Sequence, residues 1–349
     1  MNDPQEPERE VHRPVVGLFG YYSAGNWGDD LMARVFAQLA GESGADARVF
    51  TTNPDSAYFA GLTTLSDPAK FVEASDVLIY GGGGILSTAH DDESPFARAI
   101  DSILSAAHHA GKDIHVLSIG GSGSTATELP RFVSRLIRTA GRVTVRNRRD
   151  LDTIQQHRDD AECHEDVLWL LPRLQHLSVS GPRRPTVAIN LTPRGRRWFE
   201  RAGYWMFRVV RHLRPGLRFV FIESQQLTRE APDTALHAGL SSPEADAALL
   251  AEIDLIVSGR LHLGLVCLAY GKPFLSVFGH PKTRLMFENI GQPEFCLSPW
   301  SSMLLPLRFL SRRFTNRALQ PIRFAPSEFA ESAEGHARIV RHLVAAIGR

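Results

Sequence analysis

The sequence of 349 residues has few cysteines, few lysines and no long apolar run. Its three cysteines, Cys163, Cys267 and Cys296, are far apart and form no CxxC pair, so neither a disulfide scaffold nor a structural zinc site is expected. Cys267 falls in the apolar run 263–270, which favours a small buried side chain. No stretch reaches the roughly 20 apolar residues that span a bilayer.

The N-terminal residues also lack an apolar core. Residues 1–13 are charged and rich in proline, which indicates a disordered leader rather than a signal peptide. The protein is therefore expected to be cytoplasmic, at most peripheral at the inner face of the cell membrane.

Lysine is scarce, since only four of the 39 basic residues are lysines and the other 35 are arginines. The 38 acidic residues leave a formal net charge of +1. A nucleic-acid partner is not expected, because affinity for a polyanion depends on an excess of cations. Arginine carries a planar, permanently charged group that suits carboxylate and phosphate.

Short apolar segments alternate with amphipathic ones, which predicts βαβ units and mostly parallel sheets. The apolar spacing predicts a strand at 114–119 and helices at 31–39, 97–109 and 198–213, and Gly111 is expected to stop the second of these helices. The length favours two domains. The expected units are an α/β domain at 14–175, a linker at 176–185, a second α/β domain at 186–300, and a crossover with a closing C-terminal helix at 301–349. Ligands of open parallel sheets bind beyond the carboxyl ends of the strands, which predicts an inter-domain cleft there.

Three N-terminal strands end in glycine clusters, at 25–30 (GNWGDD), 81–84 (GGGG) and 120–123 (GGSG). Glycine lets the backbone approach a ligand closely, and the following helix N-termini attract anions. Three clusters at one sheet edge favour a ligand site over tight turns alone. The candidate loop residues are Gly25, Asn26, Gly28, Gly82, Gly83, Gly84 and Gly121. Neither GxGxxG nor a P-loop is present.

Two interpretations remain open for the acidic pair in the first cluster. Asp29 and Asp30 could cap the following helix. One of them could instead orient or deprotonate a sugar hydroxyl.

The sharpest local signal is the stretch DLIVSGRLHLGLVCLAYGKPFLSVFGHPKTRLMFENIG. A buried strand ends at Ser258 and a helix begins near Leu261, so Arg260 and His262 are expected at a helix N-terminus. A guanidinium there forms an anion site, and histidine can exchange protons near neutral pH. Lys282, after the next strand, could reach the same anion.

With these motifs assembled, the chain resembles the polysaccharide pyruvyl transferase family over most of residues 15–295. The resemblance rests on GYYSAGNWGDDLM, DVLIYGGGGIL, VTVRNRRDLDTI and SGRLHLGLVCLAYGKPFLSVFGHPKTRLMFENIG. It implies an α/β, GT-B-like fold, with two Rossmann-like domains around a cleft and a C-terminal helix that returns to the first domain. The N-terminal domain would then lie on the acceptor side and the C-terminal domain on the donor side.

The resemblance also implies transfer of a pyruvyl group from phosphoenolpyruvate to a sugar of a cell-surface or secreted glycan, with ketal formation and release of phosphate. Phosphoenolpyruvate would be a co-substrate, a glycan or lipid-linked sugar would be the acceptor, and no cofactor or metal is expected. The predicted donor-binding residues are Arg260, Arg146, Lys282 and Arg194. His262 is the predicted general acid, and Asp29 or Asp30 would activate the acceptor.

Some positions depart from the family pattern. Asn147 stands where members often carry an acidic residue, and the loop at 120–124 lacks the usual glutamine and proline. Arg194, the first arginine after its strand, lies further along the chain than in the family pattern. These loops would line the acceptor pocket, so the sequence leaves the acceptor sugar and its linkage open.

Two other functions are consistent with the same pattern. A GT-B glycosyltransferase would place a nucleotide-sugar diphosphate near Arg260, with Glu288 as a candidate for holding the ribose. A non-catalytic scaffold of the same fold would bind neither class of donor.

The segment 299–325 contains five arginines among apolar residues: Arg308, Arg312, Arg313, Arg317 and Arg323. A basic amphipathic segment can contact an anionic membrane. The alternative is an inter-domain crossover whose arginines extend over the protein surface.

Overall fold

The computed structural model describes residues 13–22, 26–86, 91–121, 129–178, 183–191, 198–223, 237–239, 242–278, 281–320 and 323–347. The predicted leader therefore falls outside the described residues except for Arg13, and the predicted linker falls partly outside them.

The first sheet has seven parallel strands in the order β3-β2-β1-β4-β5-β6-β7. The strands are β1 Val15–Phe19, β2 Asp46–Phe50, β3 Thr63–Leu65, β4 Val77–Gly81, β5 Ile114–Ile119, β6 Val143–Val145 and β7 Glu162–Cys163. Its helices are α1 Trp27–Glu42, α2 Pro68–Glu73, α3 Pro95–Ala110, α4 Arg131–Thr139, α5 Arg148–Ile154 and α6 Leu171–Leu174. Short 3₁₀ turns form at Ala57–Phe59 and Val167–Leu170.

The second sheet has five parallel strands in the order β10-β9-β8-β11-β12. Its strands are β8 Thr186–Asn190, β9 Arg218–Glu223, β10 His237–Gly239, β11 Leu255–Ser258 and β12 Phe274–Ser276. The helices are α7 Trp198–Leu213, α8 Pro243–Glu252, α9 Leu261–Ala269, α10 Pro281–Asn289, α11 Pro299–Arg308, α12 Arg312–Ala318 and α13 Pro326–Ile347, with a 3₁₀ turn at Pro293–Phe295.

Both sheets have the strand order of a Rossmann-like fold, as predicted. The order reverses between β1 and β4 in one sheet and between β8 and β11 in the other. At this point the connections that follow two neighbouring strands run to opposite faces of the sheet, and a crevice opens between them. The loops after β1, β4 and β11 are therefore placed to form a site.

Local signals explain several helix boundaries. Ser94 caps α3 by accepting a hydrogen bond from the backbone N–H of Ala97, and Pro95 starts the helix. Gly111 ends it in the left-handed conformation, with φ of 62°. The predicted stop at Gly111 is confirmed.

The start of α1 differs from the prediction. The apolar periodicity placed it at Leu31, but the helix begins at Trp27 with Asn26 as its N-cap. Asp29 and Asp30 lie inside the first turn and are buried, so neither caps the helix. The periodicity missed this turn because its polar residues face the neighbouring domain rather than solvent.

One apolar core joins the two domains. It combines residues of α1, α9, α13 and the 3₁₀ turn Val167–Leu170, including Trp169, Val266 and Val340. Helix α13 packs on α1 and on that turn, so the chain returns to the first domain. His336 of α13 lies 3.2 Å from the hydroxyl of Thr144 in β6. Burial of this shared surface stabilises the domain arrangement.

The three cysteines are free. Cys267 is fully buried, which confirms the predicted burial of this side chain. Within the described ranges, no helix is both long enough and apolar enough to cross a membrane.

A buried polar contact also joins the domains. Asp246 of α8 accepts hydrogen bonds from the Trp27 indole at 2.6 Å and from the Tyr58 hydroxyl at 2.5 Å. Hydrogen bonds to a charged group are among the stronger ones in proteins.

We expect Asp246→Ala to lower the free energy of unfolding by about 2–4 kcal/mol, because two buried donors lose their acceptor. Denaturant unfolding measures this loss. Glu244→Ala, an exposed position on the same helix, serves as the control and should change stability by less than about 0.5 kcal/mol. Equal stability of the two variants would contradict the assignment.

Candidate active site

Four loops from the two sheets meet at the domain interface. They follow β1, β4 and β6 of the first sheet and β11 of the second. Each lies at the carboxyl end of its strand, because all the strands of each sheet are parallel. The first turns of α1 and α9 face each other across the interface.

His262 lies at the centre of this meeting point. Its Nε2 is 3.0 Å from Nη1 of Arg146, and the same Nη1 donates to Oδ2 of Asp166 at 3.0 Å. A guanidinium can only donate, so Nε2 of His262 accepts and the proton of the neutral ring lies on Nδ1. Nδ1 faces Oδ1 of Asp29 at 4.0 Å.

The protonation state of His262 follows from its surroundings. Burial and the positive charge of Arg146 lower its pKa to about 4. The ring is therefore neutral at pH 7. It holds the Arg146 guanidinium together with Asp166, whose side chain is also buried.

Asp29 occupies an environment that disfavours its charge. It is 2% exposed, and burial raises its pKa to about 7 even though Arg146 acts in the opposite direction. Asn26 donates to Oδ2 at 2.5 Å, while Oδ1 has no hydrogen-bond partner within the described residues. A carboxyl group with a pKa near neutrality can both donate and accept a proton at pH 7.

Lys282 of α10 approaches the glycine cluster of the first domain. A Cβ atom added at Gly84 would lie 2.5 Å from its Nζ, so glycine permits this approach. Burial and the charge of Arg146 lower the pKa of Lys282 to about 8. The amine thus remains mainly charged at pH 7, and it adds a second cation near Arg146.

A second buried carboxylate organises the loop after β5. Asp150 accepts from the backbone N–H of Gly121 at 3.0 Å, and burial raises its pKa. Asn147 caps α5 by accepting from the Asp150 N–H at 2.9 Å, and its amide donates to the Asp150 carboxylate. The asparagine found in place of the family's acidic residue therefore positions Asp150.

A small cavity of about 40 Å³, partly open to solvent, lies beside this cluster. Its polar wall holds Arg146, Lys282, Asn147, Asp166 and Glu165. Its apolar wall consists of Trp169, Leu261, Leu265, Leu285, Met286, Ile290 and Phe329. Residues of both domains contribute to each wall, so the cavity is part of the inter-domain cleft.

The structure brings together Arg146, Lys282, His262, Asp29 and Gly121 from the predicted set. It places Arg260 elsewhere: the side chain is exposed, is not part of the cavity wall, and interacts electrostatically with Glu200 of α7. Asp30 is buried and interacts electrostatically with Asp29. Gly82 and Gly83 have positive φ angles of 73° and 89°, which favour glycine. Gly25 and Arg194 lie outside the described residues.

Three acidic residues of the site were missed by the sequence analysis. Asp166 binds Arg146, Asp150 positions Gly121, and Glu165 lines the cavity with a pKa that burial and Asp166 raise to about 7. The adjacent pair Glu165-Asp166 just after β7 was the available signal. Within the part of the chain that the structure describes, no group of three or more His, Cys, Asp or Glu residues is arranged to hold a metal ion.

Gly28 determines how closely the two domains approach. A Cβ atom at this position would lie 2.0 Å from Nδ1 of His262. The substitution must therefore displace the imidazole or separate α1 from α9.

We expect Gly28→Ala to reduce activity by about 100-fold, because an ångström-scale misplacement in a site has effects of this size. Steady-state kinetics measure the loss. Gly41→Ala in the same helix, where the added methyl group meets nothing within 4 Å, is the control. It should keep full activity and stabilise the protein by about 0.5–1 kcal/mol. Full activity of Gly28→Ala would show that His262 is not needed in this position.

Comparison with known proteins agrees with this architecture. The sequence model of the polysaccharide pyruvyl transferase family matches residues 26–280. A search of curated proteins gave no significant match.

Several solved structures have a similar fold at low sequence identity. UDP-GlcNAc 2-epimerase from Methanocaldococcus jannaschii is 9% identical, with a TM-score of 0.60 over 94% of this chain and 99% of that chain. The Neisseria meningitidis UDP-GlcNAc 2-epimerase bound to UDP-GlcNAc is 8% identical, with a TM-score of 0.58 over 93% and 98%. The S. aureus MnaA–UDP co-structure is 10% identical, with a TM-score of 0.53 over 94% and 98%.

These similarities show the fold, and they confirm the predicted GT-B-like arrangement of two Rossmann-like domains. The family match covers most of the chain, including the loops that carry Asn26, Asp29, Arg146 and His262. The chain therefore belongs to the polysaccharide pyruvyl transferase family and is a transferase of polysaccharide biosynthesis.

Proposed function

We propose that the protein transfers the pyruvyl group of phosphoenolpyruvate to two hydroxyls of a glycan sugar, forming a ketal and releasing phosphate. The observation that carries the proposal is the pair of cations, Arg146 and Lys282, in the wall of one inter-domain cavity. The buried Asp29 carboxyl group, with a pKa near 7, interacts electrostatically with both of them. Family membership supports the same reaction class. The reaction would take place in the cytoplasm on a glycan or a lipid-linked sugar.

The two cations suit a small donor that carries both a phosphate and a carboxylate. Arg146 is held rigidly by Asp166 and His262, so its geometry is set before the donor arrives. Lys282 enters from the other domain. A donor that bridges these two side chains also holds the domains in one arrangement, which favours a reactive orientation of the acceptor.

We assign the proton transfer to Asp29. In the protonated form it delivers its proton to the methylene carbon of the donor, where a C–H bond forms from the enol electron pair. The first sugar hydroxyl then bonds to the central carbon and gives its proton to the Asp29 carboxylate. The bond to the phosphate oxygen breaks, the second hydroxyl bonds to the same carbon, and its proton leaves with the phosphate.

His262 has a positioning role in this scheme, in place of the general-acid role expected from the sequence. Its neutral ring accepts from Arg146 and directs Nδ1–H toward Asp29. A carboxylate formed at Asp29 during the reaction would be stabilised by this N–H and by Arg146.

Incubation of the protein with phosphoenolpyruvate and a set of lipid-linked or nucleotide-linked glycans tests the proposal. We expect release of phosphate together with a mass gain of one pyruvyl ketal on one glycan. Lys282→Ala is expected to raise KM for the donor, and Lys112→Ala, a lysine remote from the cavity, is the matched control.

A nucleotide-sugar glycosyltransferase is the competing function, because UDP-GlcNAc is bound in a protein of similar fold. Glu288, the candidate for holding a ribose, is exposed and lies 3.8 Å from Arg149 rather than in the cavity wall. Consumption of nucleotide sugars with phosphoenolpyruvate left untouched would overturn the pyruvyl-transfer proposal. Binding of neither donor would favour the scaffold.

A further inference from the structure

The exposed large apolar side chains are concentrated on one face of the second domain. Among the described residues, all but Tyr21 lie on α7, on α11 or just after α11. We call this set the tryptophan face, and its members are Trp198, Trp205, Val209, Leu213, Trp300, Leu304, Leu307 and Leu310. Clustered exposure of this kind marks an interaction surface, whereas single exposed apolar residues do not.

The helical period explains why these side chains share one face. Along α7, positions 198, 205, 209 and 213 repeat at intervals of seven and four residues, so they form one stripe. Tyr204, Phe207 and Val210 form the opposite stripe and are buried in the domain core. The outward stripe is therefore a second apolar surface of a helix whose core contacts are already made.

Helix α11 repeats this pattern beside α7. Its outward positions 300, 304 and 307 are also spaced by about one turn, while Leu305 and Phe309 are buried against the core. Arg214, just after α7, donates to the carbonyl of Leu310 at 2.7 Å. The two helices thus lie next to each other, and their outward stripes merge into one surface.

The first residues of α7 and α11 show where the tryptophan face lies relative to the cleft. Helix α7 follows β8, and the start of α11 lies against the end of β12, where Ser302 accepts from the Phe278 N–H at 2.7 Å. Trp198 and Trp300 therefore lie at the carboxyl edge of the second sheet. The cleft opens at this same edge.

Exposed positive charge occurs on and next to the helices that carry the apolar stripes. The segment 299–325 has five arginines and no acidic residue. Arg308, Arg312, Arg313 and Arg317 are exposed, and none of them forms an ion pair within the described ranges. On α7, the guanidinium of Arg208 lies 5.0 Å above the ring of Trp205. Three of the five tryptophans of the chain lie on this face.

We propose that the tryptophan face docks the protein on an anionic lipid bilayer. Tryptophan is favoured at the membrane interface, where its ring is apolar and its N–H remains hydrated. Exposed arginines next to it attract anionic headgroups. The surface extends over two adjacent helices, and an apolar helical face of this kind suits insertion of its side chains to the depth of the headgroups.

The charge of the tryptophan face favours an anionic bilayer over a second copy of the chain as its binding partner. A two-fold interface through the tryptophan face would bring the same arginines of both copies together, and like charges facing each other oppose association. An anionic bilayer offers the opposite charge. On the proposed function, docking would also hold the cleft edge close to the membrane that carries a lipid-linked acceptor.

Vesicle sedimentation tests this proposal without any substrate, so its outcome is independent of the proposed reaction. We expect the wild type to sediment with vesicles of phosphatidylglycerol and phosphatidylcholine, and much less with phosphatidylcholine alone. High salt should weaken the binding. Two variants, Trp300→Ser/Leu304→Ser and Arg312→Glu/Arg313→Glu, should each reduce binding by roughly tenfold or more.

Matched control variants distinguish an effect of the tryptophan face from a general effect of changing surface residues. Tyr21→Ser removes an exposed aromatic ring of the first domain, and Arg138→Glu reverses an exposed charge on α4. Both should bind vesicles like the wild type, and thermal unfolding should show that every variant is folded. Absence of binding to anionic vesicles, or face variants that bind like the wild type, would overturn the proposal. A dimer that the face variants abolish, without vesicle binding, would assign the face to a second copy.

Discussion

Replacing Arg146 with methionine is expected to reduce kcat/KM for phosphoenolpyruvate by about 10²–10³-fold, because a preorganised cationic donor is removed from the site. It is also expected to lower the free energy of unfolding by about 3–5 kcal/mol. The second effect arises because Asp166, which is buried, loses the guanidinium that compensates its charge. Steady-state kinetics and denaturant unfolding measure the two effects separately.

The double variant Arg146→Met/Asp166→Asn distinguishes catalysis from folding. Replacing the carboxylate with an amide removes the uncompensated charge, so most of the lost stability should return. Activity should stay low, since the donor still lacks its cation. If the double variant recovers activity together with stability, Arg146 has only a structural role.

Asp29→Asn is expected to reduce kcat by about 10²–10⁴-fold, since it removes the group that we assign to proton transfer. The wild type should lose activity as the pH rises through about 7, because the protonated form of Asp29 starts the reaction. The variant should retain a small residual rate without this decrease. A pH profile of kcat for both proteins checks the assignment.

The same substitution should stabilise the protein at alkaline pH. The pKa of Asp29 is raised in the folded state from 3.8 to about 7, so the folded protein binds more protons than the unfolded chain in this range. The stabilising effect of the protonated carboxyl group is fully present below about pH 4 and is lost as the pH rises to about 7. Above pH 7, Asp29→Asn is expected to exceed the wild type by up to about 4 kcal/mol in free energy of unfolding.

Asp30→Asn provides the comparison, since the sequence allowed either aspartate to act on the acceptor. Asp30 is also buried in the first turn of α1, but His262 Nδ1 faces Asp29. We expect Asp30→Asn to retain much more activity than Asp29→Asn. The reverse ranking would transfer the catalytic role to Asp30.

Local sequence patterns predicted most of the secondary structure that supports the site. Both ends of β5 and of α7 were predicted, as were the strand that ends at Ser258 and the helix start at Leu261. These elements have a strong apolar periodicity, which indicates the buried positions, or clear helix- and strand-breaking residues, which mark their ends. The short edge strands β3 and β7 were missed, because three residues or fewer carry too little pattern.

The membership of the site was predicted only in part. Arg146 and His262 were both candidates, but their hydrogen bond joins residues that are 116 positions apart and belong to different domains. The motif placed Arg260 and His262 together at one helix start, yet neighbouring positions of a helix N-terminus point in different directions. Only the packing of α1 against α9 determined that His262 faces Asp29 while Arg260 is exposed.

By itself, the sequence determined the alternation of strands and helices, the family, and the glycine positions that let backbones approach each other. These properties depend on neighbouring residues, so they can be read locally. The tertiary structure alone decided the pKa of Asp29, the partners of Arg146 and the merging of the stripes of α7 and α11 into one face. These depend on burial and charge contributed by segments that are distant in the chain, and folding is what brings those segments together.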